Sequence, residues 1–232
     1  PIVKDKISFL AGGRSTYSNW LLSVVPDKSI KNSRGSFYDF NTHISAELNE
    51  KNSLYLSGYM SNDKFQLGND TLYQYSSLNG TIKWKHIFKD KLYGVFSTGF
   101  NRYDFNVSAD QTPAEAFELK YKIDQLNAKA DFNYYLNEKH SFSFGASAIH
   151  YALTPGSLLP AGGASRVVPD ILQKEQAVES AIYIGDQFEV NPRLSLYFGL
   201  RHSIYNYLGP RNITRYVDGL PKNENTIIDT VQ

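Results

Sequence analysis

The sequence predicts an all-β fold, an antiparallel meander that forms part of a transmembrane β-barrel of the outer-membrane type. The first observation is a hairpin pattern over residues 129–150, where apolar and polar side chains alternate on both arms. The second is that similar hairpins recur along the chain, with short turns at one end and long connections at the other. The third is the aromatic balance of 17 Tyr and 14 Phe against 2 Trp, which is typical of barrels whose tyrosines form interfacial girdles.

The two arms of this hairpin sort their side chains by parity, because successive residues of a strand point to opposite faces. One face is apolar and carries Ala130, Phe132, Tyr134, Leu136, Phe142, Phe144, Ala146 and Ala148. The other is polar or small and carries Lys129, Asp131, Asn133, Ser141, Ser143, Gly145 and Ser147. In a transmembrane barrel the apolar face meets lipid and the polar face meets a wet interior. A soluble β-sandwich produces the same alternation, so that alternative stays open.

About nine strands are predicted in chain order, at 6–17, 38–48, 53–65, 77–88, 92–106, 117–136, 141–150, 177–190 and 194–207. Short turns are predicted at 49–52, 89–91, 137–140 and 191–193. Long connections are predicted at 20–37, 66–76, 107–116 and 154–174, and residues 209–232 are polar and unpatterned. The strand at 92–106 has no clean apolar face. Bacterial single-chain barrels have an even number of strands, so an odd count indicates that part of the barrel is missing from this chain.

The overall composition excludes several classes of protein. A net charge of +1 argues against a nucleic-acid binder, which normally carries a clustered basic excess. No run of about eighteen apolar residues could form a membrane helix, and the mean hydropathy of -0.40 fits a barrel as well as a soluble domain. The absence of cysteine removes disulfides and thiolate metal sites. The chain begins at Pro1-Ile2 without a methionine or signal peptide, which suggests a mature form or a fragment.

Several short segments carry a resemblance that spans nearly the whole chain. They are Phe9 to Tyr17 (FLAGGRSTY), Tyr38-Asp39-Phe40-Asn41, Ser53 to Tyr59 (SLYLSGY), Trp84 to Leu92 (WKHIFKDKL), Tyr103-Asp104-Phe105, Pro155-Gly156, Tyr183 with Asp186, Gly199-Leu200-Arg201 and Leu208-Gly209-Pro210. In this order the segments resemble the barrel of TonB-dependent outer-membrane receptors of the Bacteroidetes type.

The resemblance implies a barrel of 22 strands around a separate N-terminal plug, with transport energised by TonB. On that basis residues 1–232 are expected to be a middle portion of the barrel, without the plug or a TonB box. The implied function is active uptake, across the outer membrane, of a scarce nutrient such as a metal chelate, a cofactor or a glycan. The implied partners are the rest of the barrel and its plug, the TonB complex, outer-membrane lipid and the substrate. Neither enzymatic activity nor a cofactor is expected.

Charged residues on the polar faces are predicted to line the lumen. They are Arg14, Glu47, Lys83, Lys85, Lys129, Asp131, Glu179 and Arg201. Two roles are open: a hydrated wall whose charges pair with one another or with a plug, and a path whose residues tune selectivity. Asp186 breaks the pattern by sharing parity with Ile182, Ile184 and Phe188. A bulge or a position near the periplasmic rim would explain it.

Substrate contacts are predicted on the loops and the upper lumen, where aromatic rings stack on sugars or chelates and arginine pairs with carboxylate or phosphate. The candidates are Tyr73, Tyr75, Arg166, Arg211, Arg215 and Tyr216.

Catalytic and metal sites are weakly supported by residue spacing. The five histidines, His43, His86, His140, His150 and His202, contain no H-x-x-x-H pair and are interpreted as turn, rim or lumen residues. No G-x-S-x-G motif surrounds Ser141, Ser143 or Ser147. A barrel phospholipase would need Ser and His on one outward face, whereas His202 and Ser203 lie on opposite faces.

Two other classes of protein remain as alternatives. A small passive porin-like barrel requires an even strand count and closure between its first and last strands. A soluble β-sandwich adhesion module requires Phe132, Phe142, Phe144, Phe198 and Leu200 to be buried in a protein core.

Overall fold

The computed structural model describes residues 6–16, 24, 33–68, 71–209 and 213–231. Its strands are β1 (Ile7–Ser15), β2 (Arg34–Asn49), β3 (Asn52–Gln66), β4 (Leu72–Lys89), β5 (Leu92–Ala109), β6 (Phe117–Tyr135), β7 (His140–Pro160), β8 (Asp170–Ile171), β9 (Glu175–Asn191), β10 (Leu194–Gly209), β11 (Ile213–Tyr216) and β12 (Ile227–Val231). A short 3-10 helix occupies Glu224–Thr226. No helix among these described ranges has the length and apolar character needed to cross a membrane.

The long strands form one antiparallel sheet in simple meander order, β1 to β7 followed by β9 and β10. The short strand β8 pairs with β7, and β11 and β12 form a separate two-stranded sheet. β1 and β10 are the two edges of the meander, and within the described ranges they do not pair to close it. The predicted antiparallel meander is confirmed.

The connections are short at one end of the sheet and longer at the other. The turns at 50–51, 90–91, 136–139 and 192–193 link β2–β3, β4–β5, β6–β7 and β9–β10. At three of them an asparagine just before or within the turn accepts, through its side-chain oxygen, the backbone N–H two residues later; these are Asn49, Asn137 and Asn191. Such side-chain bonds reproduce a backbone turn and explain why asparagine stands at these positions. The opposite end carries the connections 16–33, 67–71, 110–116 and 161–174.

The predicted strands were too short at the end with the long connections. β4 starts at Leu72, β5 continues to Ala109 and β7 continues to Pro160. The loops predicted at 66–76, 107–116 and 154–174 are therefore wrong for residues 72–76, 107–109 and 154–160, which belong to strands. β2 likewise starts at Arg34, and most of the predicted connection at 20–37 lies outside the described residues. Residues 209–232, predicted to be unpatterned, contain the β11–β12 hairpin.

Pro155 lies inside β7 although proline has no N–H to donate to a sheet. The β6–β7 pairing shifts between Lys120, opposite Ser157, and Lys122, opposite Thr154. Pro155 and Gly156 therefore face Tyr121 alone, which is the two-against-one arrangement of a β-bulge. A bulge is one of the few places where a strand tolerates proline, and this explains why Pro and Gly were mistaken for the start of a loop.

The register gives the sheet one apolar face, because directly paired residues share a face. A row across the middle of this face contains Phe9, Ile44, Leu56, Ile82, Thr98, Ala128, Ala148, Ser180 and Ile204. The strand β5, whose orientation the sequence left open, places Phe96, Thr98 and Phe100 here.

No second layer of protein covers this apolar face in the described part of the chain. Leu200 is 80% exposed and Phe198 59% exposed, and none of the five side chains that a β-sandwich would bury is buried. The buried hydrophobic residues of the described ranges are Val107, Ala116, Ala177 and Ala181. The β-sandwich alternative is therefore wrong, and the apolar face requires another apolar environment.

The strands are longer than a membrane crossing requires. A tilted transmembrane strand needs about 9–11 residues, whereas β4 and β5 have 18 each and β7 has 21. Toward the long connections the apolar face becomes charged, beginning with Arg102 paired to Asp124 at 2.6 Å. Further charged residues of this face, closer to the long connections, are Lys64, Asp104, Lys120 and Lys122.

Asp186 lies on the apolar face without a bulge. The register of β9 is continuous past this residue on both sides, so the predicted bulge is wrong. His140 Nδ1 lies 2.7 Å from Asp186 Oδ2, and the His140 ring stacks on Phe188 at 4.7 Å. An ionisable group on an apolar surface requires a hydrogen-bonded partner, which His140 supplies. Asp186 also lies in the part of β9 near the turn, which agrees with the predicted position near the rim.

Candidate functional site

The opposite face of the sheet, called here the polar face, carries all eight charged residues that the sequence singled out. The register places Arg14, Glu47, Lys83, Lys85, Lys129, Asp131, Glu179 and Arg201 on this one face, distributed over β1, β2, β4, β6, β9 and β10. Strand parity alone brings these charges together, since residues far apart in sequence pair across neighbouring strands.

Tyr183 is the centre of the largest charged cluster on the polar face. Its hydroxyl donates to Asp131, whose carboxylate also pairs with Lys129 Nζ at 2.9 Å. Two cations lie over the Tyr183 ring, with Lys129 Nζ and Arg201 Cζ each 5.5 Å from its centroid. Lys129 and Asp131 therefore compensate each other's charge, whereas Arg201 has no carboxylate partner among the described residues.

The other charged residues of the polar face differ in whether a neighbouring group balances or solvates their charge. Arg14 pairs with Asp39 at 2.7 Å, Glu47 accepts from Ser53 Oγ at 2.5 Å, and Glu179 accepts from Tyr151 at 3.4 Å. Lys85 Nζ lies 5.1 Å from the ring centroid of Tyr93. Lys83 forms no ion pair and no hydrogen bond with any described residue.

Nearer the long connections the polar face becomes aromatic. We call this region the aromatic panel; it consists of Tyr59, Phe65, Tyr73, Tyr75, Tyr103, Phe105 and Tyr121 on β3 to β6. Tyr75 stacks on Phe105 with 5.0 Å between ring centroids, and Phe65 remains 51% exposed. The tyrosine hydroxyls of the panel can each donate a hydrogen bond.

A band of side-chain amides borders the aromatic panel. Asn79 donates to Asn101, and both lie with Tyr59, Tyr103 and Gln125 against a cavity of about 470 Å³. Amides offer donors and acceptors together, and tyrosine combines an apolar ring with a polar hydroxyl. The combination is suited to holding a polar, ring-containing molecule.

The predicted substrate contacts are only partly brought together. Tyr73 and Tyr75 are two residues apart on β4 and so lie on the same face, within the aromatic panel. Arg166 is in the connection between β7 and β8, where its backbone N–H donates to the Ala114 carbonyl at 2.8 Å. Arg215 and Tyr216 belong to the separate β11–β12 sheet, where Arg215 pairs with Asp229 at 3.8 Å. Arg211 lies outside the described residues.

The histidines are dispersed over both faces. His43 is on the polar face, bonded to Ser57 Oγ at 2.8 Å, whereas His86, His140, His150 and His202 share parity with the apolar face. The turn, rim or lumen interpretation is therefore wrong for His202, which lies opposite Ile182 in mid-strand. Within the described ranges no three His, Asp or Glu side chains cluster closely enough to bind a metal.

Sequence reasoning missed most of the aromatic panel. The sequence pattern places Tyr59, Tyr103 and Phe105 in strands but gives them no role, and it predicts a loop at residues 73–76. The signal was present in the parity of residues 73, 75, 103 and 105, where aromatic residues occupy the polar-face positions. An alternation that is judged only by its apolar outer face does not reveal these aromatic residues.

Solved structures with a similar fold include one transporter and two receptors. The copper transporter OprC has a TM-score of 0.60 at 12% identity, covering 74% of this chain and 29% of that chain. The ferric preacinetobactin receptor BauA from Acinetobacter baumannii has a TM-score of 0.53 at 13% identity, covering 76% of this chain and 35% of the receptor. The open form of the ferric-catecholate import receptor Fiu from E. coli K12 has a TM-score of 0.59 at 12% identity, with coverages of 100% and 46%. No protein-family model and no curated protein matches the chain.

At these identities the likeness shows the fold and not the function. The chain spans less than half the length of each of these three proteins. Its antiparallel meander is the fold of part of an outer-membrane β-barrel, which confirms the predicted fold class. In that setting the apolar face is the outer surface of the wall and the polar face is the lumen side.

Proposed function

We propose that the chain is part of the barrel of a TonB-dependent outer-membrane receptor of the Bacteroidetes type, which imports a scarce nutrient. The observation that carries this proposal is the single-layered sheet with two unlike faces. One face is apolar and uncovered across its middle, and the other is polar with an aromatic panel near the long connections. A lipid-facing wall and a substrate-facing wall have these properties.

The proposal extends to the parts that a complete receptor needs. The outer edges of β1 and β10, which pair with no other described strand, would be joined by further strands, because an open edge in lipid leaves backbone groups unsatisfied at several kcal/mol each. A plug would fill the lumen, and the TonB complex would supply energy. Residues 1–232 would then be one part of the barrel domain, located in the outer membrane with the long connections outside, and would perform no chemistry themselves.

The substrate class is proposed as a metal chelate, a cofactor or a glycan. The similar structures are a copper transporter and two receptors for ferric complexes, which favours the metal chelate. Tyr73 and Tyr75 would contact the substrate together with the rest of the aromatic panel. Arg166, Arg211, Arg215 and Tyr216 remain further candidates on the outer side.

We expect the full-length protein to fractionate with the outer membrane and to import its substrate only when energised. The measurement is uptake of radiolabelled ferric citrate, cyanocobalamin and a malto-oligosaccharide by cells with and without TonB, each compared with a deletion of the gene. If transport is active, uptake of at least one probe disappears both in cells without TonB and in cells without the gene. A passive porin would retain uptake without TonB, and recovery of the protein in a soluble fraction would contradict a membrane wall altogether.

Substitution of Tyr75 by alanine should weaken substrate binding about tenfold, because it removes a stacked ring from the centre of the aromatic panel. The measurement is the dissociation constant of whichever probe the cells import, on whole cells at equal surface abundance. Tyr134→Ala is the matched control, since Tyr134 is an exposed tyrosine of the apolar face and its loss should leave the constant unchanged. Equal effects of the two substitutions would remove Tyr75 from the site.

A further inference from the structure

Lys83, in the middle of the polar face, is a cation that has no counter-charge among the described residues. Among the charged residues collected there, Arg14, Lys129 and Asp131 all have partners of opposite sign within 3 Å. Lys83 forms no such pair with the described residues. The eight nearest positions of the same face are Thr81 and Lys85 on its own strand, Ser53, Tyr55 and Ser57 on β3, and Val95, Ser97 and Gly99 on β5. None of these is acidic, and one is a second lysine.

The surroundings of Lys83 supply hydrogen-bond donors instead of a carboxylate. A cavity of about 220 Å³ is lined by Lys83, Tyr55, Ser57, Thr81 and His43. Four of these five carry a hydroxyl or an ammonium group, which are donors. The His43 ring is held in place by Ser57 Oγ at 2.8 Å and by stacking on Tyr55 with centroids 6.3 Å apart.

The space above this cavity is kept open by small side chains. Ser97 and Gly99 on β5 stand next to Lys83 and Thr81 in the register, so no bulky group covers the ammonium from that side. A cavity of this size is far larger than the roughly 10–15 Å³ that admits a single water. It can therefore accept a group of several atoms.

We propose that Lys83, with Tyr55, Ser57 and Thr81, forms an oxyanion-binding pocket on the lumen wall, for a carboxylate or a phosphate. A lysine ammonium surrounded by hydroxyl donors has the chemistry of such a site, because charge-assisted hydrogen bonds to an anion are the strong ones. The inference rests on the proposed function, since it takes the polar face to be the lumen. Two sources supply the same chemistry: an anionic solute passing through the lumen, and an Asp or Glu of another segment of the same protein packed against the wall.

The test is a calorimetric titration of the detergent-purified full-length protein at low salt, with inorganic phosphate and with citrate as probes. If the source is a solute, at least one probe binds, and Lys83→Met weakens it tenfold or more. Lys85→Met is the matched control, because Lys85 has the same charge, strand and face but contacts Tyr93. It should change the affinity less than threefold.

If the source is the protein's own carboxylate, neither probe binds, and Lys83→Met lowers the melting temperature well below that of Lys85→Met. The pocket is contradicted if probe binding is unaffected by Lys83→Met. It is equally contradicted if neither probe binds and the two variants melt together with the wild type. Outer-membrane fractionation and energised uptake are measured separately, so failure of the pocket is distinguishable from failure of the proposed function.

Discussion

Replacement of Ala128 by arginine should destabilise the barrel by about 2–4 kcal/mol, because it places a charge near the middle of the lipid-facing band. Ala128 is exposed on the apolar face and lies between Thr98 and Ala148 of the neighbouring strands. The measurement is urea unfolding of the full-length protein folded into phospholipid vesicles.

Asn127→Arg is the matched control for this substitution. Asn127 is the adjacent residue of the same strand, and its register partners Gly99 and Ile149 belong to the polar face. A charge there stays hydrated, so its effect should be within about 0.5 kcal/mol. Equal destabilisation by the two arginines would mean that both faces meet the same medium, which no membrane wall allows.

Gly145→Ala should destabilise the barrel by about 2–4 kcal/mol, through overpacking and the loss of one hydrogen bond. A Cβ atom built on Gly145 would overlap the Ala130 carbonyl oxygen and the Tyr183 hydroxyl. Tyr183 covers this glycine directly across the β7–β9 pair, an arrangement by which an aromatic ring protects a strand glycine. Its displacement would also break the bond to Asp131 and release Lys129 and Arg201 from the ring.

Gly80→Ala is the control for the glycine at 145. A Cβ on Gly80 meets nothing within 4 Å, so unfolding in vesicles should differ from wild type by less than about 0.5 kcal/mol. If the two alanine variants unfold alike, Tyr183 does not depend on the absence of a side chain at position 145.

The sequence predicted the turn-proximal half of the sheet well, for a physical reason. There the outer face is apolar and the inner face polar, so that residues such as Phe132 and Asp131 alternate with the period of a strand. In the half near the long connections the two faces exchange character. Lys122 and Asp124 face outward there, whereas Tyr75 and Phe105 face inward, and a search for apolar outer positions ends the strands too early.

Only one feature of the site was predictable, namely which face of the sheet each residue occupies, because side chains alternate between the two faces along a strand. The common face of the eight charged residues follows from counting along each strand, and it needed no coordinates. The bond from Tyr183 to Asp131, the partner of Asp186 and the isolation of Lys83 depend on register between strands. Register is set by turn lengths and by the bulge at Pro155, and one residue of error would exchange the faces of a whole strand.

The most direct test of a lipid-facing wall is a scan of single cysteines along β6, from residue 123 to residue 134. The chain has no cysteine of its own, so each substitution adds one labelling site to it. Each variant of the full-length protein is spin-labelled in vesicles, and its accessibility to oxygen and to a water-soluble nickel chelate is measured. We expect strict alternation over 126–134, with even positions reached by oxygen and odd positions by nickel, and a loss of oxygen preference at 124. Even positions that neither reagent reaches would show side chains packed in a protein core, and would contradict the membrane wall.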